Sequence, residues 1–101
     1  KIKNPKSSLI KKQFGYLNYL YGIIYSQKNL TQAEKYFKKA IQVGLNMNQD
    51  LAMAKLSLAG ILMQKRRKRE ATLLLNEAKK LDKHGMMTQQ IKLMQTQMKR
   101  I

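Results

Sequence analysis

The chain predicts an all-α fold of antiparallel helix hairpins, about five helices in total. Three observations carry that expectation. Breakers are few: one Pro and five Gly in 101 residues, with a single Val and no Trp among the strand-favouring types. Apolar residues recur at three- and four-residue spacing along most of the chain. The sequence also repeats itself. At a shift of 38 residues Leu20 meets Leu58, Gly22 meets Gly60, Ile23 meets Ile61, Phe37 meets Leu75, and Ala33 and Ala40 meet Ala71 and Ala78, all without a gap. A fixed period of this length marks stacked supersecondary units.

Residues 1–7 read as a lead-in, with Pro5 just outside the first helix and Ser7 or Ser8 as its cap. The first unit covers 8–45. Its first helix carries Leu9, Ile10, Phe14, Leu17, Tyr21 and Ile24 at helical spacing, and Asn29 ends or interrupts it. Its second helix starts near Thr31, where Glu34 three residues on makes a capping box, and it stops by Gly44. The inner face there is Ala33, Phe37, Ala40 and Ile41. The second unit covers 46–83. One helix runs from about Gln49 to Gln64 with Leu51, Leu58, Ala59 and Leu62. The next runs from about Lys68 to Leu81 with Ala71, Leu74, Leu75, Ala78 and Leu81. His84-Gly85 reads as a stop, Gly being free to take positive φ. Residues 84–101 form a last helix, with Met87, Ile91, Met94, Met98 and Ile101 on one narrow stripe.

Ala, a large residue four on, and Ala again at seven lie on one helical face, so a paired helix can approach closely around one bulky side chain. The segments LYGIIYSQKNLTQAEKYFKKAI and LAGILMQKRRKREATLLLNEAKKL carry this pattern. With Leu20, Ala33, Phe37 and Ala40 in the first and Leu58, Ala59, Ala71, Leu75 and Ala78 in the second, they resemble the tetratricopeptide repeat family over roughly residues 8–83. The last helix then looks like the solvating helix that closes such arrays. The period of 38 exceeds the family's usual ~34, and Lys28 and Arg66 stand where its turn glycine would be.

The resemblance implies an α-solenoid that scaffolds protein–protein interaction, holding a peptide or helix in a groove lined by the first helix of each unit. By register those positions are Asn18, Tyr19, Gly22 and Tyr25, then Met53, Leu56, Gly60 and Met63. Gly22 and Gly60 occupy places where the family's carboxylate clamp has Asn, so the expected groove is apolar and suited to an apolar helix or strand. Each glycine costs about 1 kcal/mol of helix stability relative to Ala. Either a partner or a neighbouring helix packing against the backbone would explain that. The Met stripe likewise has two readings: packing on the preceding helix, or a homodimer seam.

Composition narrows the function classes. Cys is absent and His occurs once, and Glu34, Asp50, Glu70, Glu77 and Asp82 form no ligand cluster at metal spacing. No phosphate-cradling glycine loop is present. The reading is therefore non-catalytic, with no cofactor. Twenty-one Lys and Arg against five Asp and Glu give +16, which favours anionic partners. The densest run is Lys65, Arg66, Arg67, Lys68 and Arg69, placed on the turn between the two helices of the second unit. It reads as a solvated turn or as an electrostatic site for nucleic acid or acidic lipid. No nucleic-acid-binding motif accompanies it.

The chain lacks any stretch of about 18 apolar residues, so nothing in it reads as a membrane span. It starts at Lys1 rather than Met and reads as a piece of a longer protein. An upstream anchor followed by its N-terminal lysines would place it on the cytoplasmic face of a membrane. The absence of Cys fits a reducing, cytoplasmic compartment.

Overall fold

A computed structural model describes residues 5–45, 48–82 and 85–99, with side chains from residue 13 onward, and these residues form five helices. They are α1 (Pro5–Tyr25), α2 (Leu30–Val43), α3 (Asn48–Gln64), α4 (Lys68–Leu81) and α5 (Thr88–Lys99). No strand occurs among the described residues. The fold is all-α. Helix α1 packs on α2, α2 on α3 and α3 on α4, while α5 lies against α4 and α3. The Cα extents of 55 × 31 × 19 Å make a slab about two helices thick.

The α1·α2 contact is close because α1 turns its small residues inward. Phe37 of α2 is almost fully buried, and a Cβ on Gly22 would come within 2.7 Å of its ring. A Cβ on Gly15 would collide with the backbone carbonyl of Gly44. Around this contact Tyr19 tilts against Phe37 at 5.9 Å, and Tyr25 stacks on Tyr36 at 5.4 Å. Helix α1 begins at Pro5 itself rather than after Ser7 or Ser8, since a first-turn Pro has no N–H to leave unsatisfied. The side chains of Ser7, Ser8, Leu9 and Ile10, and the residues His84 and Ile101, lie outside the described set.

Helix α2 starts one residue after Asn29, whose side-chain oxygen accepts from the Gln32 amide at 3.1 Å. The expected capping box on Thr31 and Glu34 does not form. Asn is the stronger cap, and starting there draws Leu30 against the core. Glu34 is thereby released for another task.

Helix α3 is the centre of the molecule. Ala52, Ala54, Leu56, Leu58, Ala59, Ile61, Leu62 and Met63 are all buried, because α2, α4 and α5 cover it from different sides. Its lone cation, Lys55, reaches Glu77 of α4 at 2.9 Å. Helix α4 covers the predicted span and buries Ala71, Leu75 and Ala78.

The turn between α3 and α4 closes as a Schellman motif. The Arg67 amide donates to Leu62 O at 2.8 Å and the Arg66 amide to Met63 O at 2.9 Å. Arg66 therefore takes φ +64, the left-handed conformation that glycine adopts most cheaply. The last turn is held by Asp82. Its carboxylate accepts from the amides of Met86 and Met87 at 3.1 and 2.7 Å, and from Gln49 Nε2 at 3.2 Å. Gly85 takes φ +69 on the way into α5.

Two substitutions check this packing. Gly22→Ala is expected to cost about 1–3 kcal/mol in chemical denaturation, because the ring it meets is locked in the core. Arg66→Gly is expected to add about 0.5–1 kcal/mol, because it relieves the left-handed backbone without losing an ion pair.

Candidate functional site

The eight residues expected to line a groove are largely turned inward. Asn18, Gly22, Leu56 and Met63 are buried, and Tyr19, Tyr25, Met53 and Gly60 are half-buried. Asn18 Nδ2 donates to Phe14 O of its own helix at 2.7 Å. Gly22 accommodates Phe37, and Gly60 lies at van der Waals distance from the Met94 methyl of α5. Helix–helix packing thus requires glycine at 22, whereas at 60 an added Cβ would reach only ordinary contact with that methyl, at 3.4 Å. Leu56 and Met63 belong to the central core, and Met53, Tyr19 and Tyr25 pack against its edge. These positions thus contribute to packing between helices, with Tyr19, Tyr25, Met53 and Gly60 still partly open to solvent.

The open apolar surface is the opposite face of α1. Phe14, Leu17, Leu20, Tyr21, Ile23 and Ile24 are each between 40 % and 52 % exposed. Phe14, Leu17, Tyr21 and Ile24, picked out by their helical spacing, stand on this outward side. The physical reason is the close approach at Gly15 and Gly22, which only the small-residue face of α1 permits. No charged residue occurs from Gln13 to Gln27 in a chain that is otherwise strongly basic. Cations begin at the edge: Lys39 Nζ stands 5.9 Å from the Phe14 ring centroid, and Lys28 is exposed just beyond the helix end. The seven-residue spacing of Gly15 and Gly22, with Asn18 between them, was the available sequence signal for which face turns inward.

The basic turn is partly neutralised from within. Lys65 Nζ donates to Glu34 at 2.6 Å, and Arg67 Nη1 reaches the same carboxylate at 2.9 Å. Lys38 adds a third contact at 2.7 Å. Arg67 also forks onto Glu70 through Nε and Nη2 at 2.7 and 2.9 Å. Burial pushes the Glu34 carboxyl up, but hydrogen bonds from Lys38 and Lys65 and the Arg67 charge outweigh it. They hold its pKa at about 2. Arg66, Lys68 and Arg69 are exposed and make no ion pair among the described residues.

The remaining carboxylates are engaged as well. Asp50 accepts from the Tyr16 hydroxyl, tying α1 to α3, while Glu77 and Asp82 hold the contacts given above. Among the described residues no group of three His, Cys, Asp or Glu could hold a metal ion. No described helix is long and apolar enough to cross a membrane. The Met stripe of α5 faces inward: Met87, Ile91 and Met98 are buried and Met94 packs against them. Met86, just before the stripe, is exposed.

Glu34→Gln is expected to cost about 2 kcal/mol at neutral pH. The folded-state pKa lies below the ordinary 4.5, so the stabilisation is complete above that value and drains away as pH falls towards about 2. Denaturation curves across that window should show the loss in the wild type and a flatter profile in the Gln variant.

Comparison of the chain with protein-family models, curated proteins and solved structures gave no match.

Proposed function

We propose that this chain is a non-catalytic protein-interaction module, two tetratricopeptide-like helix pairs closed by α5, and that the outward face of α1 is its docking surface. One observation carries the reading: six large apolar side chains stand exposed on half of one helix, across a stretch without charge. Contiguous apolar surface of this kind, rimmed by polar groups, marks interaction sites. Depletion of charge at its centre is what the buried core of an interface requires.

The partner that fits is an amphipathic helix. Phe14, Leu17, Tyr21 and Ile24 follow the alternating three- and four-residue spacing of a helix–helix seam. The surround is cationic, with Lys39 and Lys28 at the margins and +16 overall, so acidic residues beside the partner's apolar stripe complete the match. A second copy of the chain fits less well, because it would bring the same excess of positive charge to the same rim.

Selection of displayed helical peptides against the intact chain tests this. The expected winners carry apolar residues at three-four spacing flanked by Asp or Glu. They should lose at least about tenfold in affinity against Leu17→Glu plus Ile24→Glu, and little against Arg66→Glu. Winners indifferent to the α1 variant would overturn the reading. Vesicle binding or self-association abolished by that variant would instead reassign the face to a membrane surface or to a second copy.

A further inference from the structure

With the five carboxylates all engaged, the surplus cations set the field outside. A cleft of about 490 Å³ opens between the start of α4 and the last turns of α5. Its lining is Lys68, Lys92, Gln95, Thr96, Met98 and Lys99. Among the described residues no carboxylate lines it. The three lysines are exposed, and none makes an ion pair among the described residues.

The lining follows from helix register. Lys92, Thr96 and Lys99 are four and three residues apart and share one face of α5. Buried Met98 forms an apolar floor, its sulfur 3.6 Å from the Thr72 hydroxyl. Lys68 is the first residue of α4, at the positive end of that helix, and the N-cap Arg67 makes no side-chain cap bond there. Three cationic side chains line this one cleft, so an anion is favoured there over a cation. The size lies within the range of small-molecule sites.

We propose that this cleft binds a compact phosphate-bearing ligand, either free or as the headgroup of a lipid. The proposal is independent of the α1 face and relocates the chain's electrostatic function. The run from Lys65 to Arg69 is partly self-neutralised, and only Lys68 of that run lines the cleft.

Titration of the intact chain with inorganic tripolyphosphate, followed by calorimetry, tests it. A parallel arm uses phosphatidylcholine vesicles with and without phosphatidylinositol bisphosphate. Two variants with equal charge loss are compared: Lys92→Gln plus Lys99→Gln in the cleft, and Lys35→Gln plus Lys80→Gln outside it. All four lysines are exposed, so the fold is expected to survive, and circular dichroism checks this. Saturable one-to-one binding that weakens at least about tenfold in the cleft variant, and less than about twofold in the other, would support the site. The arm in which that difference appears identifies the source of the phosphate. Equal losses in both variants would mean a diffuse field rather than a site, and binding that never saturates in either arm would overturn the proposal.

Discussion

The carboxylate of Glu34 adds a charged link between the two helix pairs, at one end of the apolar seam where α2 packs on α3. It sits on α2, takes Lys38 from its own helix, and accepts Lys65 and Arg67 from the turn that links α3 to α4. The apolar contact between α2 and α3 is thereby locked by charge at one end. In a chain with so few acids this is a strong constraint. Three of the other four tie one element to another: Asp50 joins α3 to α1, Glu77 joins α4 to α3, and Asp82 joins the end of α4 to the start of α5, while Glu70 holds Arg67 at the start of its own helix. Negative charge is thus concentrated at junctions, and the outer surface is left cationic.

That division decides what the exterior can do. A surface with surplus lysine repels its own copies and attracts anions. Against such a background an uncharged stretch from Gln13 to Gln27 stands apart. Helix α1 serves two purposes at adjacent positions. Its Gly15–Asn18–Gly22 side permits close packing on α2, and its Leu17–Leu20–Ile24 side meets solvent. The proposed docking function uses only the second, so a partner could bind without disturbing the helix pair beneath.

Much of the fold was legible in the sequence because amphipathic helices announce their faces. Helix α4 has charged residues on one side and Ala71, Leu75 and Ala78 on the other, and both its span and its buried face follow from that pattern. Helix α2 was legible for the same reason, apart from its cap. The α1 face was not. Apolar residues occupy most of that helix, so their spacing fits more than one inward face, and the choice rests on where a backbone carbonyl and an aromatic ring need room. The basic run begins on the turn, at Lys65 to Arg67, and continues as the first residues of α4, Lys68 and Arg69. Its pairing with Glu34, some thirty residues away, was invisible because no local spacing rule links positions so far apart. Register carried over from a resemblance likewise does not show which side of a helix a neighbour covers, and Asn18, Gly22, Leu56 and Met63 are buried.

The division of α1 into a face that holds the fold and a face left free for a partner is best tested by comparing Tyr19→Glu with Leu20→Glu in equilibrium denaturation. These residues are neighbours in sequence and point to different sides of the helix. Tyr19→Glu should lose about 2 kcal/mol or more, because it puts a charge against Phe37. Leu20→Glu should stay within about 0.5 kcal/mol of wild type. Equal, large losses in the two variants would mean that the outer face is packed within the molecule, and would contradict its assignment as a free docking surface.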